Sequence, residues 1–361
     1  MFWSPKMLIL GVILLIPTMV FANNFKMKDL QNPAFNESHF PFISSVKYPQ
    51  SAANMNTFLQ YEFFEKTFKE KDFSNKLLSP FRMTDDYRNG YSIYSIDMNE
   101  KRNYVEVSLS AEFCGAYCEG FNKTFVFDIY SGQLVTLIDL FSAEGMKGLQ
   151  KQVIAKNKKR IEPYLKNPPV ENDPEHYDGV YFLYKICNEE IAKYHSNINE
   201  NTSFYIADRS ISITHGRCSN HASRAIDEVG QFVNKFTFKE LEPYFSTEGK
   251  QYLSDRQYQL PSIKTSSKVF HGKVANKYPI TLVSLHDGYA AYWYDKYRTP
   301  IELRKSTDKT TGDILIKEVY FDNEVDKWVE NAHWRVKKGN NGFSGTYTRL
   351  SDGKEMSIYY K

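Results

Sequence analysis

Thr124-Phe-Val-Phe-Asp-Ile-Tyr-Ser-Gly-Gln-Leu-Val-Thr-Leu137 decides the class of fold. Phe125, Phe127 and Ile129 recur at every second position, which places them on one face of a strand. Ser131-Gly132 marks a tight turn, and Gln133–Leu137 resumes the apolar character. A connection that short joins antiparallel neighbours, because a parallel crossover needs about a dozen residues or more. Upstream, Tyr104–Leu109 alternates through Val105, Val107 and Leu109, and Tyr91–Met98 alternates as well. The region is therefore expected to be an antiparallel meander.

Helical patterns surround it. Met55, Phe58, Leu59, Phe63 and Phe64 form one apolar face over Asn54–Lys71. Ser142 or a neighbour is expected to cap a helix running through Gln150 to Leu165, ahead of Pro168-Pro169. A further helix is predicted from about Pro174 to Tyr194, strands over Phe204–Ile213 and Phe232–Phe238, and a short helix over Phe238–Phe245. Residues 23–248 are thus read as an α+β domain, an antiparallel sheet covered by helices.

Gly249–Ser267 is polar and is read as a linker, residues 249–267. Residues 268–361 change character. Strand patterns follow at Val269–Val274, Ile280–Leu285, Ala290–Tyr294, Ile301–Arg304, Ile314–Tyr320, Ala332–Lys337, Gly345–Arg349 and Glu355–Tyr359. So many short strands predict a small all-β domain, barrel-like or a sandwich, and closure would remove exposed edges. The 26 Tyr and 26 Phe agree with a strand-rich chain.

The segment 1–22 reads as a secretory signal peptide: Lys6, an apolar run from Met7 to Phe21, then Val20-Phe21-Ala22 at the cleavage position. An apolar run of about 15 residues is short for a membrane span. The expected mature protein begins near Asn23, is soluble without stable membrane insertion, and is periplasmic, with extracellular secretion as the alternative. Cys114, Cys118, Cys187 and Cys218 are an even set in an exported chain and imply disulfides. Of the possible pairings, Cys114–Cys118 with Cys187–Cys218 is preferred. The first closes a small loop, Gly115-Ala116-Tyr117, and the second ties a helix to a later strand end.

Net charge is +3, and +2 once Lys6 is removed, which argues against a nucleic-acid partner. The basic run Lys147–Arg160 has the spacing of a solvated helix face. No catalytic motif stands out. His215, Cys218 and His221 are spaced to gather on a turn, with Asp227 near, but the cysteine is expected in a disulfide, so no metal and no cofactor are assigned. His176 lies at an acidic helix start, and His271, His286 and His333 are dispersed. Glu62, Glu65, Asp128, Asp139, Asp295 and Glu318 are the carboxylates from which a glycosidase pair would have to come. The Tyr-rich strip is the binding candidate: Tyr289, Tyr292, Tyr294 and Tyr297, with Trp293 on the opposite face of the strand, and Tyr117 at the tip between two cysteines. One side of the strip is expected to be core and the other free to stack on a glycan or pack on a protein.

Phe125–Phe141, with its Ser131-Gly132 turn and Asp139-Leu140-Phe141 tail, resembles a family of bacterial extracytoplasmic domains. Phe204–Ile213 and Val233–Tyr244, with Phe238-Lys-Glu-Leu241, are similar to that family's closing half, so the resemblance covers about 90 to 245. Members occur beside peptidoglycan deacetylase domains and form the extracellular part of a membrane anti-sigma factor that binds lysozyme. This chain shows neither that factor's span nor a deacetylase region. Phe270-x-Gly272, Tyr278-Pro-Ile280, Tyr292-x-Tyr294-Asp295-Lys296 and Thr299-Pro-Ile301-x-Leu303 resemble a small β domain of exported Gram-negative proteins. The resemblance implies an exported protein-binding module without catalysis, an inhibitor of, or immunity factor against, a lysozyme-like or other cell-wall-active enzyme. The alternative is a peptidoglycan- or polysaccharide-binding envelope protein, and after that a wall-modifying enzyme.

Overall fold

The computed structural model describes residues 24–361 apart from 33–37, 71–90, 115–117, 167, 169–178, 192, 194–197, 200–201, 286–287, 309 and 340–341. Tyr117, His176 and His286 lie outside the described residues. The chain opens with a hairpin of β1 (Phe25–Asn32) and β2 (Ser38–Ser45), followed by α1 (Pro49–Phe64). The helix starts earlier than its apolar spacing predicts, because Pro49 sits in its first turn, where a missing N–H costs nothing. It stops at Glu65, which adopts a left-handed conformation and closes onto the Tyr61 carbonyl.

The expected meander follows as a four-stranded antiparallel sheet of β3 (Tyr91–Glu100), β4 (Tyr104–Cys114), β5 (Cys118–Asp128) and β6 (Leu134–Val135). Asp128 shapes the β5–β6 turn by accepting from the Ser131 N–H and hydroxyl. Next come α2 (Leu137–Leu140), α3 (Ala143–Ile161) and α4 (Gly179–Ile191). A three-stranded sheet holds β7 (Ser203–Ala207), β8 (Ser210–His215) and β9 (Phe232–Thr237). The stretch predicted as one strand, Phe204–Ile213, is thus a hairpin, turned by Asp208 and Arg209 at φ 49° and 55°. Then α5 (Phe238–Leu241) packs on β9, and α6 (Thr247–Tyr252) packs back on α2.

The two helical corners are built alike. Ser142 caps α3 by accepting from Gly145, and Ser246 caps α6 by accepting from Gly249. Each corner also donates to the other: Ser142 N–H to the Tyr244 carbonyl and Ser246 N–H to the Leu140 carbonyl. A bridge between Phe141 and Phe245 joins them. Gly145 and Gly249 are required for the approach, since a Cβ there would lie 1.8 Å from the Tyr244 oxygen and 1.9 Å from the Leu140 oxygen. Leu137-Ile-Asp-Leu-Phe-Ser-Ala-Glu-Gly145 and Leu241-Glu-Pro-Tyr-Phe-Ser-Thr-Glu-Gly249 carry the same Leu, Phe, Ser, Glu and Gly at matching places.

Residues 249–267, read from their polar composition as a linker, hold the end of α6 and buried Tyr252, Leu260, Thr265 and Ser267. Polar composition concealed this packing because Asn103 supplies it with partners: its amide donates to the Tyr252 and Arg256 carbonyls, and its side-chain oxygen accepts from Tyr258 N–H.

The remaining chain forms a closed eight-stranded antiparallel barrel: β10 (Lys268–Val274), β11 (Tyr278–Ser284), β12 (Ala290–Tyr294), β13 (Ile301–Thr307), β14 (Ile314–Asp322), β15 (Lys327–Gly339), β16 (Gly342–Arg349) and β17 (Glu355–Tyr360). β10 pairs β17 to close it. The barrel is seated on the α+β part. Val269, Val283, Ala291 and Trp293 join a core with Phe58, Phe125 and Phe127, and Trp293 lies 6.4 Å from Tyr61 of α1. Gln133 exchanges both of its amide hydrogen bonds with the Val269 backbone, at 2.7 and 2.9 Å.

Candidate functional site at the barrel mouth

Strand alternation sends Tyr292 and Tyr294 into the barrel and Ala291 and Trp293 outward. Both directions are covered at this strand's centre: Trp293 is buried against α1, and Tyr292 is fully buried in the barrel interior. The expectation that one side of the strip lies free is therefore corrected. Tyr292 is no contact surface, because the barrel closes over it and its hydroxyl has an internal partner.

That partner is Glu318 of β14, itself fully buried. Its carboxylate accepts from Tyr292 Oη at 2.6 Å, Trp334 Nε1 at 2.9 Å, Asn331 Nδ2 at 3.3 Å and Tyr347 Oη at 3.5 Å. Burial pushes the carboxyl up from its ordinary value, and the donated hydrogen bonds pull partly the other way. Burial, followed by the Glu318 charge, raises the Tyr292 and Tyr347 hydroxyls so that they stay protonated and keep donating. The Tyr294 ring packs edge-on against that of Tyr292, 5.7 Å between centres. Tyr347 thus connects the buried carboxylate to the end of the barrel.

At that end lies a cavity of about 680 Å³. Tyr278, Tyr294, Tyr297 and Tyr347 contribute aromatic walls, and Lys277, Lys296, Arg349 and Lys354 contribute charge. The up-and-down topology explains the convergence. The turns β10–β11, β12–β13 and β16–β17 all fall at one end, so residues far apart in sequence line one opening. Tyr297 is 68% exposed, and Tyr278 about half exposed, so both present ring faces at the rim. The volume falls within the roughly 300–1,000 Å³ usual for small-ligand sites.

Of the sequence candidates, Tyr294 and Tyr297 meet at this mouth and Tyr292 supports it from beneath. Tyr289 precedes β12 and sits at the opposite end, so it does not join them. Tyr278, Tyr347 and the four cations were missed. Several of the carboxylates from which a glycosidase pair would have to come are engaged at separate places. Glu62 pairs with Lys123, Asp139 completes the Thr136 capping box and accepts from Lys264, and Asp295 accepts from Thr281. Cys218 is bonded to Cys187, and Cys118 is disulfide-bonded, with Cys114 opposite it in the ladder register. Among the described residues no group of three or more His, Cys, Asp and Glu could hold a metal ion. No described helix is long and apolar enough to cross a membrane.

No protein-family profile and no curated protein matches the chain. The chain is distantly similar to DUF3298 family proteins. A DUF3298 family protein from Pseudomonas aeruginosa PAO1 is 10% identical at a TM-score of 0.36, over 63% of this chain and 94% of its own. A member of the same family from Bacteroides fragilis NCTC 9343 is 12% identical at 0.38, over 64% and 97%.

Proposed function

We propose that the protein is an exported, non-catalytic binding protein of the cell envelope that takes a saccharide at the barrel mouth. The observation behind this is the concave opening walled by Tyr278, Tyr294, Tyr297 and Tyr347. Tyrosine rings offer flat apolar faces for sugar C–H groups and hydroxyls for sugar oxygens, at little conformational cost. The Glu318 network supports the reading because it holds Tyr347, and Tyr292 packs against Tyr294, before any ligand arrives, and preorganisation lowers the cost of binding. The periplasm remains the expected compartment, with peptidoglycan the expected source of ligand. Sedimentation of the protein with isolated, enzyme-free peptidoglycan tests this. Retention that is lost in Tyr297→Ala supports it, and absence of retention overturns it.

A second reading, binding of a lysozyme-like or other cell-wall-active enzyme as inhibitor or immunity factor, has its own observation. Beyond the pairs Glu302↔Val319 and Ala332↔Arg349, β14 and β15 pair only with each other and extend past the rim at the mouth end. Tyr320, Phe321, Val325 and Trp328 on this arm are each at least 40% exposed, and Arg304 stacks over Trp328 at 4.3 Å. Exposed Trp, Tyr and Arg are the residue types that dominate protein interfaces. A stable complex needs roughly 1,200–2,000 Å² of buried surface, more than a hairpin tip alone supplies.

A further inference from the structure

Resting on the saccharide reading above, we infer that the barrel mouth selects saccharides bearing a negative charge, a carboxylate or a phosphate, over neutral ones. The lining contains Lys277, Lys296, Arg349 and Lys354 and no carboxylate. The whole chain carries a formal net charge of only +3, so this clustering is local rather than a reflection of bulk composition.

Nearby acids offset it only in part. Asp352 is held by Arg349 in a two-point contact at 3.0 and 2.9 Å, which uses that guanidinium in part. Asp295 accepts from Thr281 at 2.8 Å. Glu318 lies beneath the floor, its oxygens engaged by Tyr292, Trp334, Asn331 and Tyr347. Among the described residues Lys277, Lys296 and Lys354 make no ion pair, and all are exposed. Lys277 and Lys296 sit over the rings of Tyr278 and Tyr297, 5.4 and 5.0 Å from their centres, so each cation is held against an aromatic wall of the mouth.

This arrangement matches an acidic sugar in both of its parts. The rings receive the apolar sugar face, and the ammonium groups receive the anion. Tyr347 donates its hydrogen to Glu318, which leaves its oxygen lone pairs to accept from a sugar hydroxyl. Neutral saccharides would satisfy the rings and leave three hydrated ammonium groups unused.

The test is a calorimetric titration of the protein with soluble peptidoglycan fragments, their carboxylates either free or blocked by amidation. A parallel titration uses lipopolysaccharide core oligosaccharide before and after phosphatase treatment, which separates carboxylate from phosphate as the source of charge. The expected result is charged material bound about tenfold or more tightly than its neutralised counterpart at low salt, with the preference shrinking as salt screens it. Lys296→Gln with Lys354→Gln should remove the preference, bringing charged and neutralised material to equal affinity. Equal affinity for charged and neutralised forms, or a preference that survives the lysine substitutions, overturns the inference while leaving the saccharide reading intact. Binding of neither material overturns that reading as well.

Discussion

Tyr292 Oη donates to the Glu318 carboxylate at 2.6 Å inside the barrel, and both residues are fully buried. Trp334 and Tyr347 donate to the same carboxylate, so one acid on β14 ties together β12, β15 and β16. Removing it strands several donors and opens a void. Glu318→Ala should therefore cost about 3–5 kcal/mol. Chemical denaturation followed by Trp fluorescence checks this, and a cost near zero would mean the network is incidental to the barrel.

Tyr297 stands at the other extreme. It is largely exposed, and removing its ring touches no core. Tyr297→Ala should leave stability within about 0.5 kcal/mol of the parent while weakening saccharide retention. Equal retention of variant and parent, measured by sedimentation, would remove Tyr297 from the site.

Glu106 makes stability depend on pH. Burial raises its carboxyl to about 7, against the Ile206 N–H donated to it and the nearby Lys101, with Asp97 adding to the rise. The folded value is above the unfolded one, so between about pH 4.5 and 7 the folded chain holds a proton that the unfolded chain has released. Stability contributed by this group is therefore present below that window and lost as pH rises through it. Glu106→Gln, which keeps an oxygen for Ile206, should flatten the profile and gain on the order of 2 kcal/mol at pH 8. Melting temperatures from pH 4 to 8 provide the comparison, and identical profiles for the two proteins would count against this assignment.

The Cys187–Cys218 bond ties α4 to the loop after β8 across a separation of 31 residues. A crosslink of that span limits the unfolded chain by about 3–4 kcal/mol. Cys187→Ser with Cys218→Ser should lower stability by that order, read by denaturation under non-reducing conditions. An unchanged midpoint would place the bond in a region that opens before global unfolding.

Trp293 carries the seat between the α+β part and the barrel, packed against Tyr61 in the shared core. Trp293→Ala should cost about 3–5 kcal/mol, as large buried aromatics do. Limited proteolysis should then cut within residues 249–267, which parent protein protects by burying Tyr252 and Leu260. Resistance equal to the parent's would show that Asn103 and Gln133 hold the seat without the tryptophan.

The barrel strands were legible as short apolar runs between turns: β15 and β17 alternate, and β11 and β12 are buried on both faces where the barrel meets the α+β part. The meander was legible for the same reason. The β7–β8 hairpin was not, because Asp208-Arg209 lacks the glycine that usually announces such a turn. The paired corners at Ser142 and Ser246 were visible as two similar stretches, but their wide separation hides them from a search for short periods. For the site, the run around Tyr292 drew attention to one strand. Its neighbours come from turns beside β11 and β17, whose shared end follows only from the closed order. Once an up-and-down barrel is assumed, alternate turns fall at one end, and Lys277, Lys296 and Lys354 become a visible set.

The central claim is where ligand binds, and hydrogen exchange with mass spectrometry, with and without soluble peptidoglycan fragments, addresses it directly. The account predicts added protection over residues 274–279, 294–298 and 347–356, the segments that line the mouth. Protection confined to the β14–β15 arm around Tyr320 and Trp328, or absent everywhere, would contradict it.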